Sequence, residues 1–253
     1  MGELDGQVAV VTGAGTGIGV SVARRLAERG ASLIVSAFSS FDGAESLASS
    51  INESGGHAVA IKSDFRKAGN AADVVDAALD TFGGLDIVVN NAGYTLGKKF
   101  VDCDENDWDD LLNINLKSMF VTCSAAAPHL IARNYGRIIN ISSVHSIQHT
   151  PGMVIYGTTK GAINAFTKAL AVELAPHKIT VNAIAPGAIY VPRYDRTGVD
   201  KEAMVQGIPA RALGSGDDIG HAVEFLASPN AGYINGEIMF IDGGLTSRLS
   251  IGD

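Results

Sequence analysis

Short apolar runs alternate along this chain with longer segments in which apolar residues recur at helical spacing. The short runs predict β-strands and the longer segments predict amphipathic helices. The predicted strands cover residues 8–12, 32–37, 58–61, 86–90, 137–141, 180–184 and 237–241. The predicted helices cover residues 20–27, 43–54, 71–82, 108–133, 156–174 and 217–227, and residues 186–215 read as a loop region.

Strands that are separated by helices need crossover connections, and such connections are right-handed and favour parallel pairing. The pattern therefore predicts an α/β fold with a Rossmann-type, doubly wound parallel sheet of about seven strands and helices on both faces. No linker or internal repeat divides the chain, so we expect a single domain over residues 1–253. In such a sheet, ligands bind beyond the carboxyl ends of the strands.

Composition and charge exclude several classes of function. The 253 residues are 46% hydrophobic and 18% charged, with a formal net charge of −8, which disfavours binding to nucleic acid or to anionic membranes. No apolar stretch approaches the ~20 residues of a membrane span. Cys103 and Cys123 lack the spacing of metal ligands, so we predict no metal site and two free thiols in a reducing cytoplasm.

A glycine-dense turn follows the first predicted strand. Its spacing is G-x-x-x-G-x-G rather than the usual dinucleotide fingerprint. Glycines allow a close approach of the backbone to a ligand, and the N–H groups at a helix start attract an anion. The turn therefore predicts a phosphate cradle, and a glycine-rich surface loop is the alternative. The cradle residues are Gly13, Gly15, Thr16, Gly17, Ile18 and Gly19.

Further polar residues follow later strands, where they are expected to meet at one edge of the sheet. Asp64, residues 90–93, Ser143 and residues 186–187 each come directly after a predicted strand. Residues of these types also favour turns, so each position taken alone is more readily explained as structural. Their common placement is what predicts a site.

Tyr156 and Lys160 are four residues apart at the start of a predicted helix, which places them on one face. An ammonium about 4 Å from a phenolate stabilises it by about 4 kcal/mol at an effective dielectric of ~20. That is the scale a tyrosine needs to act as an acid and base near neutrality. Ser143 can donate a hydrogen bond to a substrate oxygen that gains charge. A second Tyr-x-x-x-Lys pair, Tyr94 and Lys98, contains Gly97 and reads as a loop.

Together these motifs resemble the short-chain dehydrogenase/reductase family over residues 7–244. The resemblance implies that Tyr156 is the general acid in reduction and the base in oxidation. It implies that Lys160 assists Tyr156 and holds the ribose of the nicotinamide cofactor, that Ser143 positions the carbonyl or alcohol, and that Asn115 holds a water. The motifs are Thr12-Gly13-x-x-x-Gly17-Ile18-Gly19, Asn90-Asn91-Ala92-Gly93, Asn115, Ser143, Tyr156, Lys160 and Pro186-Gly187.

The resemblance also implies which residues bind the cofactor. Val191 stands where the family often has a threonine. The second strand ends at Ala37 rather than at an acidic residue that would repel the extra phosphate of NADP, and Ser39 and Ser40 can hydrogen-bond that phosphate. We therefore favour NADP(H), with NAD(H) left open because no Arg or Lys stands there or at Thr16. The remaining cofactor candidates are Asp64, Phe65, Asn91, Ala92, Gly93, Pro186, Gly187 and Ile189.

Residues 190–213 are expected to form a lid over the substrate and residues 144–153 the facing wall. The predicted reaction is hydride transfer between nicotinamide and a small carbonyl or secondary alcohol. Two alternatives stay open: a 3-oxoacyl-[acyl-carrier-protein] reductase, and a non-catalytic dinucleotide-binding regulator. By resemblance we expect a cytoplasmic homotetramer packed through the two long helices. The candidate substrate contacts are His145, Gln148, Tyr190 and Tyr194.

Overall fold

A computed structural model describes residues 2–192, 194, 195 and 198–248 of the protein. In this part of the chain the strands are β1 (Val8–Thr12), β2 (Ser32–Ala37), β3 (His57–Lys62), β4 (Ile87–Asn90), β5 (Gly136–Ile141), β6 (Ile179–Pro186) and β7 (Ile238–Ile241). They form one parallel sheet in the order β3-β2-β1-β4-β5-β6-β7. The strand order reverses between β1 and β4, which is where such a sheet opens a crevice for a ligand.

The main helices connect the strands. They are α1 (Ile18–Glu28), α2 (Phe41–Glu53), α3 (Asp73–Phe82), α4 (Glu105–Leu112), α5 (Ser118–Arg133), α6 (Val154–Leu174), α7 (Lys201–Gln206) and α8 (Gly216–Ala227). Short 3₁₀ turns at Ala68–Ala71, Phe100–Asp102, Val144–Ser146, Ala175–His177, Pro229–Ala231 and Leu245–Ser247 complete the connections.

Strand β1 shows how the sheet separates two apolar cores. Ala9 and Val11 pack into a core that includes buried residues of α1, α2 and α8. Val8 and Val10 point to the opposite face, where α3, α5 and α6 supply the buried residues. Because both faces of the sheet are covered, β1 and β4 are apolar at consecutive positions up to their last residue rather than at alternate ones. The predicted doubly wound parallel sheet with helices on both faces is confirmed.

The predicted helix over residues 108–133 differs from the structure in two ways. It begins earlier, at Glu105, because the Asp104 carboxylate accepts a hydrogen bond from the Asp107 N–H and Asp107 returns the bond to the Asp104 N–H. It also changes to a π-helical turn over Asn113–Lys117 between α4 and α5. Hydrophobic spacing does not reveal such a turn, because the apolar face continues on both sides of it.

The predicted loop over residues 186–215 contains the short helix α7. Asp200 caps it by accepting a hydrogen bond from the Ala203 N–H at 2.9 Å. Residues 193, 196 and 197 of the expected lid, and residues 1 and 249–253 of the expected domain, lie outside the described residues. Among the described helices, none has both the length and the apolar character that crossing a bilayer requires.

Helix α8 offers a test of the fold, because it packs against α1 and carries its own cap. The Ser215 Oγ accepts a hydrogen bond from the Asp218 N–H, and the Asp218 carboxylate accepts one from the Ser215 N–H at 2.7 Å. Ser215→Ala is expected to lower the free energy of unfolding by about 1 kcal/mol, measured by urea denaturation. Ser49→Ala, at an exposed position inside α2, is the control and should change it by less than about 0.5 kcal/mol. Equal effects of the two variants would contradict the capping role.

Candidate active site

Hydrogen bonds between the turns after β1 and β4 hold the site together. The Thr12 Oγ1 accepts from the N–H groups of Asn91 and Ala92, each at 3.0 Å. The Asn91 side-chain amide donates to the carbonyl oxygens of Thr12 at 2.9 Å and Gly13 at 3.0 Å. These bonds cross the point where the strand order reverses and fix the two turns against each other.

The glycines of the first turn serve two different purposes. A β-carbon at Gly15 would collide with the Ser40 carbonyl, and one at Gly19 would collide with the Gly13 carbonyl. Those two positions are therefore glycine because the backbone packs closely there. Gly17 has a φ of 60°, and the nearest neighbour of a β-carbon there would be the Val191 side chain at 3.3 Å. Gly17 thus combines a left-handed conformation with a position close to Val191 at the start of α1.

Two adjacent cavities open at the carboxyl edge of the sheet. The β2 cavity has a volume of about 380 Å³ and the β5 cavity about 390 Å³, and both are lined by Gly13, Thr16, Gly93 and Tyr94. The β2 cavity is otherwise lined by Ser36, Ala37, Phe38, Ser39, Ser40, Ser63, Asp64, Phe65, Arg66, Ala92 and Ile114. The β5 cavity is otherwise lined by Gly17, Ile18, Asn91, Thr95, Ile141, Ser142, Ser143, Tyr156, Lys160, Pro186, Gly187, Ile189, Val191 and Tyr194.

Lys160 is a buried cation at the floor of the β5 cavity. Its Nζ donates a 2.8 Å hydrogen bond to the Ile141 carbonyl at the end of β5. The Nζ also lies 5.6 Å from the centre of the Tyr156 ring. Burial lowers the pKa of Lys160, and the neighbouring Tyr156 hydroxyl opposes that change. The lysine and tyrosine therefore face the same cavity, one helical turn apart, as predicted from their spacing.

Ser143 and His145 stand beside Tyr156. The Ser143 Oγ accepts a 3.1 Å hydrogen bond from the His145 N–H, which fixes the serine side chain at the tip of β5. The His145 ring meets the Tyr156 ring edge-on, with centroids 5.7 Å apart. Burial and the nearby His149 lower the pKa of His145, so its imidazole is neutral at neutral pH.

Asn115 borders the site from behind, within the π-helical turn. Its side-chain amide donates to the Tyr94 carbonyl at 3.0 Å and to the Thr159 hydroxyl at 3.2 Å, and its oxygen accepts from the Tyr94 N–H at 3.0 Å. A β-carbon at Gly93 would lie 3.1 Å from that oxygen and 3.9 Å from the Lys160 Nζ. Asn115 therefore fixes Tyr94 and lies close to Lys160 without lining either cavity in the described part of the chain.

Of the four residues predicted to contact substrate, Tyr194 lines the β5 cavity. In the described part of the chain, His145, Gln148 and Tyr190 do not line it. The Gln148 side chain donates instead to the Thr246 carbonyl at 3.2 Å, and the Tyr190 hydroxyl donates to Asp195.

The Gln148 bond joins the wall after Ser143 to the turn at residues 242–248. Asp242 organises that turn by accepting hydrogen bonds from the N–H groups of Gly244 and Thr246, both at 2.8 Å. The Gly243 carbonyl accepts from the Ala210 N–H at 3.0 Å, which ties the turn to the expected lid. Three segments, residues 144–153, 190–213 and 242–248, are thus linked, and we call them the rim segments.

The sequence reading missed several residues that line the cavities. Tyr94 stands where the two cavities meet, although its pair with Lys98 reads as a loop in the sequence. Its position directly after Asn91-Ala92-Gly93 was the available signal. Phe38 and Arg66 line the β2 cavity, and Arg66 is two residues beyond Asp64. The Arg66 guanidinium stacks on the Phe38 ring. The hydrophobic pattern of the sequence does not predict this contact, because the two residues follow different strands.

A family model described as enoyl-(acyl carrier protein) reductase matches residues 13–246. An uncharacterized oxidoreductase of Methylorubrum extorquens is 38% identical over 249 residues, covering 97% of this chain and 100% of that protein. The 3beta-hydroxysteroid dehydrogenase 1 of Eggerthella lenta is 37% identical over 248 residues, covering 96% of this chain and 95% of that protein.

Solved structures agree with the sequence relatives. A short-chain dehydrogenase/reductase of Serratia marcescens has a TM-score of 0.91 at 35% identity, covering 96% of this chain and 99% of its own. A protein of Agrobacterium tumefaciens, provisionally described as a 2-deoxy-D-gluconate 3-dehydrogenase with bound NADP, has a TM-score of 0.88 at 36% identity, with coverages of 97% and 98%. A metagenomic blue fluorescent protein in complex with NADPH has a TM-score of 0.90 at 32% identity, with coverages of 96% and 99%. The chain belongs to the short-chain dehydrogenase/reductase family and is an oxidoreductase.

The buried Lys160 predicts a stability effect with a definite pH dependence. Its pKa is lower in the folded chain than the ordinary value of 10.5. The unfolded chain therefore binds this proton more tightly, so the lysine lowers the free energy of unfolding. This destabilisation is largest at pH values below the pKa of Lys160 in the folded chain. It disappears at pH values above the pKa of Lys160 in the unfolded chain. Lys160→Met is expected to raise the free energy of unfolding at pH 7, and the gain should shrink towards pH 10.

The measurement is urea denaturation across that pH range. Lys168→Met is the control, since Lys168 is exposed on the same helix. A stabilisation by Lys160→Met that grew with pH, or a loss of stability at every pH, would contradict this account of the buried ammonium.

Proposed function

We propose that the chain transfers hydride between a nicotinamide dinucleotide and a carbonyl or secondary alcohol. The observation that carries the proposal is that Ser143, Tyr156 and Lys160 line one cavity, and that this cavity also reaches the glycine turn at Gly17. The proton donor Tyr156, the hydrogen-bond donor Ser143 and the cation Lys160 then face one cavity, which the phosphate cradle also borders. That combination suits reduction of a polarised carbonyl.

The residues present fit a dinucleotide. The two cavities lie side by side, share Gly13, Thr16, Gly93 and Tyr94, and flank the turn at the start of α1. The free N–H groups at that helix start suit a pyrophosphate, and Gly17 has no side chain to obstruct it. In this assignment the β2 cavity takes the adenosine half and the β5 cavity takes the nicotinamide half. Pro186, Gly187, Ile189 and Val191 then form the wall beside the nicotinamide.

When bound, the nicotinamide supplies or accepts the hydride at the substrate carbon. Tyr156 donates its hydroxyl proton to the substrate oxygen in reduction and recovers it in oxidation. The Ser143 hydroxyl donates a hydrogen bond to the same oxygen, which stabilises the negative charge that develops there. Lys160 holds positive charge near the Tyr156 hydroxyl and favours its ionised form while the proton is away.

Asn115 is proposed to hold a water through which Lys160 exchanges protons with solvent. Because Gly93 has no side chain, space remains between the Asn115 oxygen and the Lys160 Nζ. A water in that space, as the family resemblance implies, would accept a proton from Lys160. The hydrogen bonds of Asn115 to Tyr94 and Thr159 keep its amide oriented for this role.

We favour NADP(H) over NAD(H) as the cofactor. The end of β2 carries Ala37 instead of an acidic residue, so the extra phosphate meets no repulsion there. Ser39 and Ser40 line the β2 cavity and have hydroxyls that can donate to a phosphate. The relatives whose solved structures hold NADP and NADPH support the same choice.

The alternative of an acyl-carrier-protein reductase has the support of the matching family model's description, but the surface disfavours it. The positions that often carry docking arginines in such enzymes are Asn134 and His177 here. The nearby Arg137 is buried and donates to the carbonyls of Ser228 and Gly136, so it cannot meet an acidic partner. Arg133 is already paired with Asp86 at 2.9 Å. We therefore prefer a small carbonyl or alcohol as substrate.

Exposed apolar side chains on the long helices support the proposed homotetramer. Phe120 on α5 is 54% exposed and packs edge-on against Phe166 of α6, with centroids 6.3 Å apart. Val172 on α6 is 77% exposed. Large apolar side chains exposed on two neighbouring helices are typical of a surface that is buried against another subunit. Cytoplasmic localisation and the lid over residues 190–213 stay predictions.

Tyr156→Phe tests the proposed chemistry. It removes the proton donor and is expected to lower kcat by about 10²- to 10⁴-fold, measured by NADPH oxidation against a panel of carbonyl compounds. NADPH binding, followed by fluorescence, should be retained. Tyr233→Phe, at a fully exposed tyrosine, is the matched control. Activity unchanged by Tyr156→Phe would contradict the mechanism, and a wild-type protein that reduces no carbonyl would favour the regulator alternative.

The cofactor proposal predicts a higher kcat/KM with NADPH than with NADH on the same substrate. The physical reason is that the β2 cavity carries hydroxyls and no carboxylate at the end of β2. The comparison also requires the reverse reaction with NADP and NAD on alcohols, because it controls for direction. A clear advantage for NADH would contradict the preference.

A further inference from the structure

A group of cations surrounds Phe38 at the mouth of the β2 cavity. The Arg66 guanidinium carbon lies 4.9 Å from the centre of the Phe38 ring, and the Lys62 Nζ lies 6.0 Å from it. Both distances allow attraction between a cation and the ring face. We call Phe38, Lys62, Asp64 and Arg66 the Phe38 cluster. Its two cations and one carboxylate give it a formal charge of +1 on a chain whose formal net charge is −8.

Asp64 fixes the direction of the Arg66 side chain. The Arg66 Nε donates to the Asp64 Oδ1 at 2.9 Å, and the Arg66 Nη2 donates to the Asp64 Oδ2 at 2.7 Å. The Arg66 N–H donates to the same carboxylate at 3.1 Å. A guanidinium that is held along one edge and stacked on a ring loses less freedom when it binds an anion.

The outer edge of Arg66 is available to a ligand. Within the described residues, its hydrogen bonds use Nε and Nη2, and Nη1 makes none. The side chain is 53% exposed and lines the β2 cavity together with Ser39 and Ser40. A guanidinium with a free N–H edge beside two hydroxyls suits a phosphate monoester.

The pairing with Arg66 changes what Asp64, a predicted cofactor residue, presents to a phosphate. Both of its carboxylate oxygens already accept hydrogen bonds from Arg66, so the carboxylate is partly neutralised where a phosphate would approach. Asp110 also lies close enough to interact with Arg66, while Lys67 adds a positive charge near Asp64. No Arg or Lys stands at the end of β2. In the structure, Lys62 at the end of β3 and Arg66 in the turn that follows it bring cations to this place.

We propose that Arg66 binds the 2′-phosphate of the adenosine half of the cofactor, with Lys62 as a second positive charge and Ser39 and Ser40 as hydrogen-bond donors. The inference rests on the proposed nicotinamide-dependent function. It assigns the choice between the two cofactors to a residue beyond β3 rather than to the end of β2 alone.

The test measures binding of two probes that differ by one phosphate, adenosine 2′,5′-bisphosphate and 5′-AMP, by isothermal titration calorimetry. Arg66→Gln should raise the Kd of the bisphosphate by about tenfold or more, which corresponds to about 1.4 kcal/mol. It should change the Kd of 5′-AMP by less than about twofold. Arg66→Lys keeps the charge without the planar fork and should give an intermediate loss. Lys62→Gln should give a smaller loss of affinity for the bisphosphate, and this loss should be larger at low salt.

Lys67→Gln is the matched control, because Lys67 is an exposed cation in the same turn that does not line the cavity. Inorganic phosphate as competitor separates recognition of a free anion from recognition of the nucleotide. Equal weakening of both probes by Arg66→Gln would overturn the proposal and assign Arg66 to the adenine. No change in either probe would also overturn it. A wild-type protein that binds the bisphosphate more tightly than 5′-AMP but turns over no carbonyl would contradict the proposed function and support this inference.

Discussion

The hydrogen bonds between Thr12 and the Asn91 turn are the constraint on which the site depends. The turns after β1 and β4 diverge to opposite faces of the sheet, and without a tie their backbones would be free to separate. One hydroxyl and one side-chain amide connect them through four hydrogen bonds. Because both cavities share Gly13 and Gly93, this single junction sets the position of each cavity relative to the other.

Much of the fold was predictable, because its signals are local. The apolar runs and glycine-ended helices specify strands and crossovers, and the crossovers specify a parallel sheet. The same rule predicted that Ser143 and Gly187 would lie at one edge, since both follow strand ends. Tyr156 and Lys160 share a face because the helix spacing places them there. The chemistry assigned to these residues stays a proposal.

The parts that escaped prediction depend on contacts between segments far apart in sequence. The resemblance names Asn115, but hydrophobic periodicity does not predict the π-helical turn that carries it. Its partners, the backbone of Tyr94 and the hydroxyl of Thr159, were not predicted either. Gln148 was expected to face substrate, but its partner is a carbonyl 98 residues later. The cations around Phe38 come from another strand end. The sequence names the candidate residues, but tertiary packing decides which of them are in contact.

The rim segments have a consequence for how this chain can diversify. They are connected to one another by the Gln148 and Gly243 bonds, and they supply none of the strands of the sheet. Under the proposed function, exchanging a loop there would alter the shape offered to the substrate and would leave Ser143, Tyr156, Lys160 and both apolar cores in place. If the proposed function holds, new substrate preferences can therefore arise on this scaffold at little cost to folding.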